Sequence, residues 1–346
     1  MDTLITQLLP RDEIDRISNQ EWDELASKSV FKNPFYARNC LTAAFKSLDS
    51  DKTIFLVVSF VDNKLVTLFP VEVTRHRMGF KMINVWSHNH CPLSDPLSLN
   101  NTDTSRTIFN LLQQTGATCF GAERHSPQSL GELVTQKSLI HQTFRGQVSQ
   151  FKAKKEYYAC LPAKVRSESK RIVRRINQEL NLSYKTSKEL PEFGWFEAYC
   201  QLEHSGWKSG AKGSILSQPN YLQYYNEFID KAFSNNQVEF QGIFHDEKPV
   251  ALSFRMISGN CAFDIKTSYD EAYRRLYPGV VLEILNLIEL HQLDFDFVDS
   301  CTQPNNRVIN RLWPEQKIVH DSIFFKNSVI GTVLDKMMRW KRSDTN

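Results

Sequence analysis

Hydrophobic and polar residues alternate along two consecutive segments in the second half of the chain. An apolar residue occupies every second position from Val250 to Met256, and the alternate positions from Cys261 to Thr267 are apolar or threonine. This period of two is typical of half-buried antiparallel strands. Gly259-Asn260 separates the segments and favours a two-residue turn, so the pattern predicts a β-hairpin.

The predicted hairpin has a defined register, because a two-residue turn pairs residue 258 with residue 261. Apolar side chains then lie opposite apolar ones and polar opposite polar, which stabilises the pairing. A polar strip of Arg255, Asp264 and Lys266 follows, and it leads toward a helix that begins at Pro278-Gly279. The predicted pairs are Phe254 with Ile265, Arg255 with Asp264, and Ser253 with Lys266.

The rest of the chain repeats one order of elements in each half: helices, antiparallel strands, a helix, then another strand and a helix. This repetition predicts the α/β class with mixed sheets and a duplicated domain, divided into residues 1–155 and 156–346. A capping box of Ser18 and Glu21 marks the first helix. Other helices are predicted near 34–48, 104–115, 162–180, 192–206, 219–233 and 328–342, and strands near 53–60, 64–73, 82–86, 119–124, 139–147, 156–161, 182–187 and 295–300.

Composition supports a two-domain globular protein. The chain has 346 residues, of which 41% are hydrophobic and 23% charged, and its net charge of +3 favours no particular class of partner. Its seven cysteines form no CxxC pair, which suits a reducing compartment. No secretory leader pattern and no apolar stretch of the roughly 20 residues that span a bilayer are found, so a cytoplasmic location is expected.

Five segments of the second half, taken in order, resemble a known family. They are LPAKVRSESKRIVRRI, HSGWKSGAKGS, PVALSFRM, FDIKTSYDEAYRRLYPGVVL and VDSCTQPNNRVINRLW. Together they are similar to the GNAT-superfamily acyltransferases of the CelD-like group (cellulose or exopolysaccharide biosynthesis), which are relatives of the FemAB-type transferases. NPFYARNCL resembles the entry helix of the first domain in the same group.

The resemblance implies two tandem GNAT-like domains, with the acyl-CoA site in the second. It also implies an enzyme that transfers an acyl group, with acetyl-CoA or another acyl-CoA as donor, to an amine or hydroxyl of a sugar or cell-envelope precursor. A FemAB-like transferase that uses aminoacyl-tRNA, and a non-catalytic protein that binds a glycan or a synthase complex, are the alternatives.

In GNAT enzymes the donor's pyrophosphate meets the N-terminus of a helix, where free N–H groups and the helix dipole attract anions. Here that helix begins at Pro278, and its loop has one glycine where the better-known GNAT loop has two. The other interpretation is a proline-capped helix with surface arginines. The predicted donor-binding residues are Lys266, Thr267, Arg274, Arg275, Tyr277, Pro278, Gly279, Val280, Asn305 and Asn306.

Four residues are predicted to take part in catalysis. Asp270 is the first candidate for a general base acting through water, and Glu203 or His204 is the second. Lys266 is predicted to stabilise an oxyanion or contact phosphate. The alternative is that Lys266 only pairs with Asp264 or Asp270 in a solvated network.

The predicted substrate contacts come from both halves. The loop GWKSGAKGS is predicted either to cover the substrate or to be a plain connection between helices. The other predicted contacts lie on strands and strand ends of the second half and at the end of one strand in the first half. The full set is Trp207, Lys208, Lys212, Arg255, Asp264, Asp299, Trp86 and His88.

The sequence predicts no metal site. His88, His90, Cys91 and Asp95 are close in sequence, but their spacing matches no standard zinc set. They are interpreted as an acceptor-side loop or as plain surface.

Two basic helices are candidates for contacts with polyanions. The one at 164–175 is predicted to be a solvated amphipathic face rather than a nucleic-acid site, except in the tRNA alternative. The C-terminal helix could rest on the inner face of an anionic membrane, but packing on the second domain is the preferred interpretation.

Overall fold

The computed structural model describes residues 3–77, 79–135, 139–151, 156–205, 213–303 and 306–343. The chain forms two compact units. Unit 1 comprises residues 1–45, 49–146 and 318–346, and unit 2 comprises 46–48 and 147–317. Residues 318–346 therefore belong to unit 1, whereas the boundary predicted from the sequence placed them in the second domain.

Unit 1 contains a mixed sheet with the strand order β1-β2-β3-β4-β6-β13. Strands β1 to β4 are antiparallel neighbours, β6 runs parallel to β4, and β13 runs antiparallel to β6. The elements are β1 (Leu4–Pro10), α1 (Asn19–Lys28), α2 (Arg38–Ser47), β2 (Ile54–Val61), β3 (Lys64–Arg75), β4 (Lys81–Val85), β5 (Leu97–Ser98), α3 (Asn101–Thr115), β6 (Cys119–His125), β13 (Glu315–Lys326) and α10 (Val329–Ser343).

Unit 2, over residues 183–299, repeats the order found over residues 4–125 of unit 1: a strand, two helices, three strands, a helix and a strand, with the short β5 added in unit 1. Its sheet runs β7-β12-β11-β10-β9-β8; strands β8 to β11 are antiparallel neighbours, β12 is parallel to β11, and β7 is antiparallel to β12. The elements are β7 (Leu139–Phe151), α4 (Tyr157–Cys160), α5 (Ala163–Leu180), β8 (Ser183–Thr186), α6 (Trp195–Ser205), α7 (Pro219–Ser234), β9 (Val238–His245), β10 (Lys248–Ser258), β11 (Cys261–Tyr269), α8 (Pro278–Leu290), β12 (Phe297–Asp299) and α9 (Arg307–Leu312).

The predicted fold class, α/β with mixed sheets, is confirmed. The capping box is also present, since the Ser18 hydroxyl accepts the Glu21 N–H at 3.2 Å at the start of α1. Two local predictions were wrong. The predicted strand at 156–161 is instead the short helix α4 (Tyr157–Cys160), because the Glu156 carboxylate caps it by accepting the N–H groups of Tyr158 and Ala159. The predicted helix at 34–48 is divided into a 3-10 turn, Pro34–Tyr36, and α2.

Helix α8 forms the centre of the core of unit 2, because its sequence is apolar on nearly every side. Val281, Leu282, Ile284, Leu287 and Leu290 are all completely buried. They pack against residues of β9, β10, β11, β12 and α5, so both ends of the helix are held in place.

Helix α10 packs within unit 1, not on the second domain as predicted. Leu334 belongs to a buried cluster with Cys119 and Phe325. Within the described residues, no helix is both long enough and apolar enough to cross a bilayer.

Candidate functional site

Strands β11 and β12 pair over three residues only and then separate. Phe263 pairs with Asp299, and β11 then continues to Tyr269 with β10 as its partner. The chain leaves β12 in a sharp turn. Cys301 has a left-handed backbone (φ 50°) and donates its N–H to Asp299 Oδ1 at 2.9 Å. The backbone of β11 beyond Phe263 therefore faces a gap in the sheet.

A cavity of about 380 Å³ occupies this gap, and we call it the splay cavity. Its walls come from the middle of β11, from β10, from α8, from the turn after β12 and from the start of α9. The lining residues are Ser253, Phe254, Asp264, Ile265, Lys266, Thr267, Glu283, Ser300, Cys301, Thr302, Gln303, Asn306 and Ile309. The structure thus brings together four predicted site residues, Asp264, Lys266, Thr267 and Asn306.

A β-bulge changes the predicted register of the hairpin. Arg255 pairs with Asp264 as predicted, but Phe254 pairs with Lys266, so Ile265 is an extra residue in β11. The predicted pairs of Phe254 with Ile265 and of Ser253 with Lys266 were wrong for this reason. Bulges redirect side chains and are frequent beside active sites.

The bulge also divides the predicted polar strip between the two faces of the sheet. Arg255 contacts Glu289 of α8, whereas its neighbour Phe254 contacts Tyr199 of α6 on the other face. Asp264 pairs with Arg255 and lies on the α8 face, whereas Lys266 pairs with Phe254 and lies on the α6 face. The prediction of a single polar strip was therefore wrong, although both Asp264 and Lys266 line the splay cavity.

Arg255 is held inside the sheet and does not line the splay cavity. It is 1% exposed and donates to Glu239 and Glu289, each at 2.9 Å. Glu239 also pairs with Lys188. Burial opposes the charge of the guanidinium, but the carboxylates of Glu289 and Glu239 outweigh it and raise the pKa of Arg255. Arg255 therefore supports the sheet beside Asp264, and no substrate contact follows from its position.

Lys266 and Glu203 form an ion pair on the α6 face. Lys266 Nζ lies 3.3 Å from Glu203 Oε1, and Glu203 Oε2 accepts the Ile215 N–H at 2.7 Å. The Glu203 side chain is completely buried. The neighbouring His204 is exposed, and its Nδ1 lies 3.0 Å from the Ser214 hydroxyl. Two of the predicted catalytic residues, Glu203 and Lys266, are thus in contact with each other, and Lys266 also lines the splay cavity.

Asp264 and Glu283 are two carboxyl groups lining the same cavity. Burial is the main cause of a raised pKa in both, to about 7 for Asp264 and about 8 for Glu283. The Arg255 charge lowers the pKa of Asp264, while Glu289 and Asp299 raise it further. Glu283 was not predicted from the sequence. The only available signal was its position as the first acidic residue in an otherwise apolar helical stretch.

The N-terminus of α8 packs on β11 beside Thr267, a residue that lines the splay cavity. Tyr277 precedes Pro278 with a left-handed backbone (φ 56°), and no side chain caps the helix. A Cβ on Gly279 would lie 3.1 Å from Tyr269 Cδ1 and 3.9 Å from Thr267 Cγ2, so the first turn packs closely on β11. Arg274 and Arg275 are exposed in the 3-10 helix just before it.

A second cavity of about 430 Å³ lies between α5, α8 and α9, and we call it the arginine groove. Its floor is apolar and includes Ile172, Val280 and Ile284, with Tyr277 at the start of α8. Four arginines and one acidic residue, Glu168, line the groove. The arginines are Arg171, Arg175, Arg307 and Arg311. Glu168 pairs with Arg311, and Arg175 pairs with Glu179. The Glu168 charge also interacts with Arg171, whereas Arg307 forms no ion pair among the described residues.

The remaining predicted residues lie elsewhere. Asp270 caps the 3-10 helix by accepting the Ala272 N–H at 2.9 Å, and it lines neither cavity. Asp299 is buried, pairs with Lys317 and holds the turn after β12. Trp207, Lys208, Lys212 and Asn305 lie outside the described residues.

Trp86 and His88 belong to unit 1. Trp86 is buried and donates its Nε1–H to Asp49 Oδ2 at 2.9 Å, and the His88 ring lies 5.5 Å from it. Burial lowers the pKa of His88 to about 3, so this imidazole is neutral. In the part of the chain that the structure describes, no three His, Cys, Asp or Glu side chains form a metal-binding group.

Comparison with protein families agrees with this geometry. Residues 163–305 match the family model described as an acetyltransferase (GNAT) domain. The matched segment lies inside unit 2 and contains the walls of the splay cavity up to Gln303. No curated protein sequence matches the chain.

Solved structures with little sequence identity share the fold along most of the chain. FemX is 7% identical, with 92% of this chain and 98% of FemX covered and a TM-score of 0.60. A conserved protein of unknown function from Bacteroides thetaiotaomicron is 12% identical, with 90% and 98% covered and a TM-score of 0.56. L-PGS from Bacillus licheniformis is 10% identical, with 93% and 95% covered and a TM-score of 0.51. The family match and these similarities support the resemblance to the GNAT superfamily and the GNAT-like fold predicted from the sequence.

Proposed function

We propose that this chain is an acyltransferase that moves an acyl group from acyl-CoA to an amine or hydroxyl group. The observation that carries the proposal is the position of the GNAT family match. It covers the segment in which β11 and β12 separate and in which α8 begins beside the gap. The nucleophile would attack the thioester directly while both substrates are bound.

The donor's phosphates would lie at the start of α8 and along the arginine groove. The uncapped first turn of α8 offers backbone N–H groups and the positive end of the helix dipole. Arg274 and Arg275 precede it, and Arg171 and Arg307 of the arginine groove supply further cations. The apolar floor of the groove suits the flat faces of an adenine ring.

The pantetheine arm would enter the gap between β11 and β12. Past Phe263, the β11 backbone has no β12 partner, so its N–H and C=O groups are available for the two amides of the arm. The thioester would then reach the splay cavity, where Lys266 is placed to stabilise the oxyanion. Because Lys266 also contacts Glu203, its position is fixed before the substrates bind.

For the acceptor, we propose a sugar or another cell-envelope precursor. This part of the proposal rests on the resemblance to the CelD-like group. The cavity itself supports an acceptor with several hydroxyl groups, because Ser300, Thr302, Gln303 and Asn306 supply polar contacts on one wall.

The first test is donor binding followed by turnover. Isothermal calorimetry with CoA should give one site per chain, and acetyl-CoA with glucosamine as the acceptor probe should release free thiol. Arg307→Ala should weaken CoA binding, and the matched control Arg16→Ala, at an exposed arginine of unit 1, should not. If wild-type protein gives neither heat nor a thermal shift with millimolar CoA, the proposed donor is wrong.

An aminoacyl-tRNA donor is the second candidate. The similarity in fold to FemX over 92% of the chain favours it, as do the four arginines of the groove, since a tRNA acceptor end is also a polyanion. Filter binding would separate the two donors. Binding of tRNA that weakens steeply with salt, together with no response to CoA, would support the second candidate.

We also propose that α10 contacts an anionic membrane surface. Val329, Val333 and Met337 recur every four residues and are between 45% and 83% exposed, whereas Leu334 packs inward. The sequence of the same helix carries Lys336, Arg339, Lys341 and Arg342 and a single acid, Asp335. An exposed apolar face on a basic helix suits anionic lipid.

A further inference from the structure

Asp264 stands at the point where the sheet opens. It is the first residue of β11 beyond the last pair with β12, and the bulge residue Ile265 follows it. Glu283 reaches the same cavity from α8. The two carboxyl groups therefore come from different elements and meet where the acceptor and the thioester would meet.

Asp264 differs from Glu239 and Glu203 in its hydrogen bonding. Glu239 receives Arg255 and Lys188, and Glu203 receives the Ile215 N–H and Lys266. Asp264 Oδ2, by contrast, is buried and has no hydrogen-bond partner within the described residues. Because buried polar atoms are nearly always paired in a resting structure, this oxygen is available for a group that is not yet bound.

Burial is the main reason why Asp264 favours its protonated form. Arg255 faces it from β10 and lowers its pKa, but this guanidinium is shared with Glu239 and Glu289. Glu289 of α8 and Asp299 of β12 add negative charge from two further elements and raise the pKa of Asp264. Glu283 is 6% exposed, and its Oε1 accepts the Trp313 Nε1–H at 2.5 Å. With both pKa values raised to about 7 and 8, the pair holds protons that can move near neutral pH.

From this geometry we infer that Asp264 is the catalytic proton acceptor for the incoming amine or hydroxyl, and that Glu283 is a positioning residue that holds a proton beside it. The inference rests on the proposed acyl transfer and replaces Asp270, which caps a 3-10 helix away from the cavity.

The proton and electron balance of the step is simple. The lone pair of the acceptor nitrogen or oxygen forms a bond to the thioester carbon, and the proton that the acceptor loses passes to the Asp264 carboxylate. The C–S bond then breaks, and its electron pair leaves with sulfur as the CoA thiolate. Asp264 returns its proton to the thiolate or to water, so each cycle restores the carboxylate.

The test is the pH profile of Asp264→Asn, a nearly isosteric change that cannot accept the proton. With acetyl-CoA and glucosamine as probes, we expect kcat to fall about 100-fold or more, and the limb that rises through neutral pH to disappear. CoA affinity should stay within about twofold, because only the proton acceptor is lost. Asp246→Asn is the matched control, since Asp246 is 88% exposed at a turn.

A second variant separates chemistry from structure. Glu283→Gln replaces a carboxyl that holds its proton at neutral pH with a neutral amide, so turnover and the rising limb of Asp264 should persist. We expect the wild type to lose rate above about pH 8, where Glu283 ionises, and Glu283→Gln to keep its rate there. A purely structural role would lower stability without removing that loss of rate.

The outcomes are distinguishable. If the wild type shows no transfer with the probes and no CoA binding, the proposed function fails and this inference fails with it. If the wild type transfers acyl groups but Asp264→Asn keeps its rate and its pH limb, only this inference is overturned.

Discussion

Removing the Asp264 charge should make the protein more stable above neutral pH and should change little in acid. In the folded state, burial raises the pKa of Asp264 from 3.8 to about 7. The folded protein therefore holds a proton that the unfolded chain releases between these values. The stability that this proton contributes is fully present below the pKa of Asp264 in the unfolded chain. It is lost as the pH rises through the pKa of Asp264 in the folded protein.

The magnitude follows from the size of the shift. One pKa unit corresponds to about 1.4 kcal/mol, so the change from 3.8 to about 7 sets an upper limit of about 4 kcal/mol. Asp264 is partly exposed, so solvent screens its charge. We therefore expect Asp264→Asn to gain about 1–3 kcal/mol over the wild type at pH 8 and about zero at pH 4.

The assay is urea unfolding of both proteins at a series of pH values, followed by far-ultraviolet circular dichroism. The difference between variant and wild type should grow steadily from acid to neutral pH. Asp246→Asn provides the control for the substitution itself, because the Asp246 side chain is 88% exposed at a turn and does not line the splay cavity. A variant that is equally stable or less stable at pH 8 would refute the electrostatic reasoning about this cavity.

Three further predictions concern other parts of the molecule. Arg307→Ala should weaken CoA binding about tenfold or more in calorimetry, because a charge-assisted phosphate contact contributes about 1.5–3 kcal/mol. An unchanged affinity would exclude the arginine groove as the phosphate site. Val333→Ser should reduce sedimentation of the protein with vesicles of phosphatidylglycerol and phosphatidylcholine, while Val30→Ser, at a similarly exposed valine, should not. Equal binding by both variants, or a dimer that Val333→Ser abolishes, would contradict the membrane assignment. Ser18→Ala should cost about 1 kcal/mol in urea unfolding through loss of the α1 cap, and a neutral effect would show that the cap contributes nothing.

Elements with strong local patterns were predictable from the sequence. The hairpin of β10 and β11 has a period of two and a two-residue turn, and α8 has a proline at its first position and an apolar sequence. These features depend on neighbours within a few residues. The GNAT-like fold also followed from the order of five short motifs.

Features that depend on distant residues were not predictable. The bulge at Ile265 leaves no mark in the alternation of β11, yet it moves Lys266 to the face of α6. Strand β13 lies beside β6 in unit 1, almost 200 residues earlier in the chain, so a boundary drawn along the sequence misplaced the C-terminal segment. Local composition cannot report such pairing.

The residues of the candidate site also divide into those with a local signal in the sequence and those that depend on distant residues. The α8 N-terminus, Lys266 and Asn306 were identified from the sequence because helix starts and polar strand residues have local signals. Glu283 was missed because an acid in an apolar helix is usually placed toward solvent, and only the folded chain shows it beside Asp264. Asp270 was selected for its position before the helix, but in the structure it caps the 3-10 helix Glu271–Leu276.

Calorimetric titration of the full chain with CoA would show whether an acyl-CoA donor binds where β11 and β12 separate. We expect saturable binding of one CoA per chain, which weakens in Arg307→Ala and is preserved in Asp264→Asn. No detectable heat at millimolar CoA, or binding that Arg307→Ala leaves unchanged, would contradict it.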